Sequence, residues 1–227
     1  MSTKKSILKK ITLLFFVIFI IEICLEYIAY KPLLLIFKPL IPLILIILYL
    51  IESDCKSKIY VFAMFLSLLT NLLFIPRSSE SLLYALMVFT VHRILIIYLI
   101  VKLNKVSDYI SIIIATLPFI IVFSYLYYET PFLSKESAIL IILQNVLISV
   151  FAGISLSGYV MNDNKRNSIL LISALLFVIL QFSVFIEKYF LNYEYSEILR
   201  PLSMTLNGMA FYSFYRYVIE AEKLNED

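Results

Sequence analysis

The residues able to do chemistry lie inside apolar stretches. Leu82 to Val101 reads LLYALMVFTVHRILIIYLIV, the length of a membrane span, and carries His92, the only histidine, followed at once by Arg93. An arginine at the bilayer centre costs at least about 2.5–3.5 kcal/mol, so other helices must cover it and bring it partners or water. Either Arg93 is a buried structural ion-pair partner, or it belongs to a polar site inside a helical bundle. Similar stretches hold Glu22 and Glu26, four residues apart and so on one helix face. They also hold Lys38, Asn71, Gln144, Asn145, Gln181 and Asn207. Carboxyls and imidazole exchange protons, cations hold anions, and amides hydrogen-bond hydroxyls or water without a proton to give near neutral pH.

The elements that must position these residues are membrane helices. Of 227 residues 62% are hydrophobic, 15% are charged and only three are glycine, with a mean hydropathy of +0.97. That much apolar surface cannot be hidden in a soluble domain of this size. Continuous apolar runs rather than alternation argue for helices over a barrel. The reading is all-α: a polytopic membrane protein of eight transmembrane helices in one bundle, roughly 11–29, 33–51, 58–75, 82–102, 108–127, 137–160, 167–187 and 199–219. Connections are short, so residues 1–227 form a single transmembrane domain. The lysine-rich start is read as a retained first helix, because Glu22 and Glu26 interrupt the region where a cleavage site would stand.

Loop charge sets the orientation. One side carries Lys4, Lys5, Lys9 and Lys10, then Lys56, Lys58, Lys102, Lys105, Lys165, Arg166, Arg216 and Lys223. The other has only Lys31, Arg77, Lys135, Lys188 and Arg200, which places both termini in the cytoplasm of a cell that holds the protein in its inner or plasma membrane. Counted at 1.5 Å per residue, the polar residues inside the spans then lie about 5–12 Å from the non-cytoplasmic end, with His92 and Arg93 near mid-depth. Two acids and two bases at similar depth point to a balanced pocket, with Glu26 and Lys38 the pair favoured by depth. Separate interhelical hydrogen bonds, each worth about 0.6 kcal/mol, are the plainer account.

Other features are structural. Pro39, Pro42 and Pro118 lie inside spans and bend them. Gly153 and Gly158 with Ser149, Ala152 and Ser157 form a small-residue face suited to close helix packing. Cys24 and Cys55 suggest neither a disulfide nor a metal site, no cofactor is implied, and a net charge of +3 gives no support for nucleic acid. Membrane lipid is the partner the composition implies; oligomeric state is not legible.

Four segments, in order, resemble the YhhN family of eight-span lysoplasmalogenases, which cleave the vinyl ether of lysoplasmalogens. They are KPLIPLILIILYL from Lys38, FLSLLTNLLF from Phe65, FTVHRILIIY from Phe89 and SALLFVILQFSVF from Ser173, with a weaker echo in PLSMTLNGMAF from Pro201. The resemblance implies a site built on Lys38 and His92, both kept, and on two intramembrane aspartates, which here are Asn71 and Gln181. The eighth-helix Tyr and Gln of the family are replaced by Asn207 and Phe211.

Vinyl ether hydrolysis needs a proton delivered to carbon and water activated toward the resulting oxocarbenium ion, worth about 10²–10⁴-fold from a positioned acid or base. Amides cannot supply it, although His92, Glu22 or Glu26 offer protons of their own. The expectation is a divergent, pseudoenzyme-like member that still houses a lysolipid or ether lipid. Its catalytic positions are Asn71, Gln181 and His92. Lys38 and Arg93 would meet phosphate, and Glu22, Glu26, Asn207, Gln144 and Asn145 would contact the ligand. Two other classes compete: a small proton or solute transporter built on the mid-membrane ionisable groups, and a non-catalytic membrane subunit. Against transport, the cytoplasmic half is nearly all apolar and no repeated half is visible.

Overall fold

The computed structural model describes residues 2–76, 78–104, 108–130, 135–191 and 194–226. Arg77 and Lys105, used above for orientation, lie outside them. The described residues form eight α-helices: α1 (Ser2–Ile28), α2 (Lys31–Glu52), α3 (Lys58–Leu73), α4 (Ser79–Asn104), α5 (Tyr109–Tyr128), α6 (Lys135–Met161), α7 (Lys165–Tyr189) and α8 (Ser196–Glu226). Six of them, all but α3 and α8, are long and apolar enough to cross a membrane. The chain is thus a multi-pass integral membrane protein. The expected eight spans are reduced on this measure for two physical reasons. α3 has only 16 residues, about 24 Å of helix. α8 is the longest helix, at 31 residues, but is charged toward both ends.

Helix ends follow local chemistry. The Asp108 side chain accepts from the backbone N–H of Ile110 (2.9 Å) and Ser111 (3.3 Å) and so caps α5. Asn164 caps α7 through the Asn167 N–H at 2.9 Å. Between α1 and α2 the chain reverses through Ala29, whose φ of 56° is left-handed, and α2 then begins at Lys31 with Pro32 in its first turn, where a missing N–H costs nothing.

Each helix packs on its sequence neighbour except α4 on α5, and α1 also meets α8. α4 reaches α3, α6 and α8, whereas α5 packs on α6 alone. Of the two glycines expected at a close helix contact, Gly153 makes one and Gly158 has only ordinary spacing from Asn167, at 3.9 Å, while Gly208 makes another that was not expected. A Cβ at Gly153 would lie 1.9 Å from the Thr116 hydroxyl of α5, and one at Gly208 would lie 2.2 Å from the Phe19 ring of α1. Only glycine permits these approaches.

The bundle has two unlike ends. Lys4 pairs with Asp54, and Glu222 bonds Tyr49 and Ser53, so both ends of the described chain meet at the α2–α3 connection. That end is filled by Leu45, Leu48, Tyr49, Tyr60, Met64, Leu99, Ile100, Phe214, Tyr217 and Val218, all buried. The opposite end is hollow.

Candidate functional site

A cavity of about 440 Å³ lies between α2, α3, α4, α6, α7 and α8, with Glu26 of α1 at its edge. Small-ligand sites run to roughly 300–1,000 Å³. Lys38, Asn71, Arg93, Gln144, Gln181, Asn207 and Glu26, all expected from the sequence to share a site, line it. His92, Glu22 and Asn145 do not.

Lys38 donates to Glu26 in a buried ion pair, the pairing expected from depth. Its backbone carbonyl has a second use. An α-helical carbonyl accepts from the N–H four residues on, and at that position Pro42 has none. The amide Nδ2 of Asn71 donates to the Lys38 oxygen instead, at 3.4 Å. The proline in α2 thus creates an acceptor, and the amide on α3 meets it.

Arg93 is 5% exposed and has no carboxylate within 4.0 Å among the described residues, so the ion-pair reading of this residue does not hold. One guanidinium nitrogen donates to the Gln144 backbone carbonyl at 3.0 Å and the other to Gln181 Oε1 at 2.8 Å. The guanidinium also sits 4.5 Å from the centre of the Phe89 ring. Gln181 therefore orients Arg93 without cancelling its charge. Of the other charged lining residues, Glu187 pairs with Arg200 at 3.0 Å, and Lys188 lies over the Tyr189 ring. Four cations against two paired carboxylates leave the cavity positive.

His92 stands behind the wall. Its ring stacks on Phe89 (5.4 Å between centres) and meets the edge of Phe211 (5.5 Å), and both phenyl rings line the cavity. It is 1% exposed, and neither ring nitrogen has a hydrogen-bond partner among the described residues. Consecutive helix positions point about 100° apart, and on α4 it is Arg93 that faces the hollow while His92 turns onto Phe89 and Phe211. The same geometry separates Gln144 from Asn145. Asn145 lines a second cleft, of about 260 Å³, between α5 and α6, and touches the site only by accepting from Gln181 Nε2 at 3.5 Å. Glu22, one turn before Glu26 on α1, is buried outside the lining.

Glu187, Lys188, Arg200 and Ser203 line the cavity and escaped the sequence reading. Three of them are charges at span ends, a position that ordinarily signals flanking loops. The one available sign was Glu187, an acid closing the apolar run of α7.

Chemically, the site offers a desolvated cation, a lysine–glutamate pair and several amides facing a largely apolar chamber. It can hold an anionic group and hydrogen-bond a polar linker beneath it. The chain matches no curated protein and no solved structure. The model of the YhhN family matches residues 33–214, which run from the start of α2 to the middle of α8 and include all the cavity-lining residues but Glu26, so the chain belongs to the YhhN family.

Proposed function

We propose that the protein binds an anionic single-chain lipid, a lysolipid or ether lipid, in this cavity and has lost the family's vinyl ether hydrolysis. On this reading all eight helices cross the membrane as one bundle, both termini are cytoplasmic, and the chamber lies in the outer half of the bilayer. The observation that carries the proposal is Arg93, a buried guanidinium in the cavity wall with no carboxylate within 4.0 Å among the described residues. A buried unpaired cation is costly unless an anion meets it, and a phosphate accepts from a guanidinium with strong, charge-assisted bonds. The apolar lining from Leu86, Leu180, Val184 and Phe185 suits an alkyl chain.

Loss of hydrolysis rests on the residues standing where the family resemblance puts aspartates. Asn71 and Gln181 both line the cavity, and neither can donate a proton to a vinyl carbon. Of the other proton sources, Glu26 is held in its pair with Lys38, Glu22 lies outside the lining, and His92 is set behind Phe89 and Phe211.

The test is aldehyde release from a lysoplasmalogen by the purified protein, beside a variant carrying Asn71→Asp and Gln181→Asp together. Wild-type protein is expected at background and the double variant above it. Wild-type turnover above background and equal to that of the double variant overturns the loss of catalysis.

A further inference from the structure

Gln144 of α6 is 1% exposed and lines the cavity, and its amide is held in one orientation by its neighbours. Its Nε2 donates to Thr90 Oγ1 at 2.8 Å and lies 3.4 Å from the Leu86 carbonyl. The Thr90 hydroxyl hydrogen is already given to that same Leu86 carbonyl, at 2.7 Å, so Thr90 Oγ1 can only accept. The nitrogen of the amide must therefore face Thr90, and the oxygen must face away. That oxygen, Oε1, has no partner among the described residues. Its own backbone carbonyl takes Arg93, so the cation and the orphan acceptor belong to one residue's surroundings. Ser203 Oγ of α8 is a second buried lining atom without a partner among the described residues.

A buried acceptor left empty costs about 1–3 kcal/mol, and one beside a cationic group asks for a ligand that carries a donor close to its anion. A fully ionised phosphate has no hydrogen to give to a carbonyl. A free hydroxyl has one. We infer that Gln144 Oε1 is the subsite for a free hydroxyl a few atoms from the anionic group of the lipid, and that Gln144 selects hydroxyl-bearing single-chain lipids over otherwise equal ones. This rests on the lipid-binding reading above. The hydroxyl has two sources, the glycerol backbone of a lysolipid or a polyol headgroup, and the two are separable.

The experiment measures displacement of a fluorescent lysolipid from the full-length protein in nanodiscs by two pairs of competitors. The first is lysophosphatidate and its 2-deoxy analogue, which differ only in the glycerol hydroxyl. The second is hexadecylphosphoglycerol and hexadecyl propyl phosphate, both singly charged diesters, which differ only in the headgroup hydroxyls. Wild-type protein is expected to prefer the hydroxyl-bearing member of the first pair by about tenfold, the scale of one buried hydrogen bond. Gln144→Leu binds both members within about twofold, because a hydrocarbon makes no such bond. Thr90→Val, which frees the amide to turn, weakens the preference and carries the test if Gln144→Leu fails to fold. A Gln144-dependent preference in the second pair alone also supports the subsite and assigns its hydroxyl to the headgroup. No preference in either pair, or one that persists in both variants, overturns the inference while leaving lipid binding intact. Failure of every competitor and of the probe to bind overturns the lipid-binding reading itself.

Discussion

At the end of the bundle where both ends of the described chain meet, Glu222 accepts from the Tyr49 and Ser53 hydroxyls, each at 2.6 Å, and the Ser57 N–H reaches Tyr49 Oη at the same distance. Beside it Glu52 accepts from Tyr215 and lies 3.6 Å from both Arg216 and Lys223. At the other end, among the described residues, Arg93 has no carboxylate within 4.0 Å, Gln144 Oε1 and Ser203 Oγ have no partner, and an open cavity adjoins all three. Among the described residues the packed end breaks this pattern once, at the Tyr60 hydroxyl, which is buried without a partner. The two ends draw on similar residue types. What separates them is whether polar groups close on one another, which holds helices together, or are kept open, which is the state a ligand can complete.

The largest expected effect comes from closing the open end. Gln181→Glu puts a carboxylate where an amide oxygen now accepts from Arg93, so the guanidinium gains an internal counter-ion. Affinity for anionic single-chain lipid, read by displacement in nanodiscs, is expected to fall by about tenfold or more, near 1.4 kcal/mol. Unchanged affinity would mean that Arg93 does not meet the anion. A smaller effect follows from opening the closed end. Glu222→Gln replaces two charge-assisted bonds by weaker ones and is expected to cost about 1–2 kcal/mol of stability, seen as a lowered melting temperature in nanodiscs, with lipid affinity unaltered. Equal loss of affinity would tie the two ends together and erase the contrast.

The smallest effect lies outside both ends, at the α5 cap. The Ser111 hydroxyl and N–H, with the Ile110 N–H, bond the Asp108 carboxylate and hold its pKa below the usual aspartate range. A group whose pKa is depressed on folding contributes stability above its unfolded pKa, and that contribution is lost as pH falls through the lower folded value. Amide exchange at Ile110 and Ser111, after correction for intrinsic rates, is therefore expected to quicken only in acid beyond ordinary aspartate titration. Asp108→Ala is expected to show fast exchange at every pH.

The membrane-helix architecture was legible because long apolar runs have few other physical uses. The Lys38–Glu26 pair was legible too, since depth along a helix follows from residue count. Direction around a helix was harder to read. His92 and Asn145 share the depth of Arg93 and Gln144 but face elsewhere, and a stretch hydrophobic on all sides gives no phase to tell them apart. Glu187 and Arg200 sat at span ends, where charge is commonplace. Nor could the sequence reveal that Pro42 and Asn71 answer one another, because they lie on different helices.

That last pairing reaches beyond the present chain. With no N–H at 42, the oxygen of residue 38 stays available to whatever side chain α3 presents at 71, and it welcomes only a hydrogen. Asparagine brings one in every condition. Aspartate would bring one only in its acid form, and an ionised aspartate would set oxygen against oxygen. Positions 42 and 71 are therefore best compared together across relatives: an acid at 71 has a different meaning beside a proline at 42 than beside any other residue.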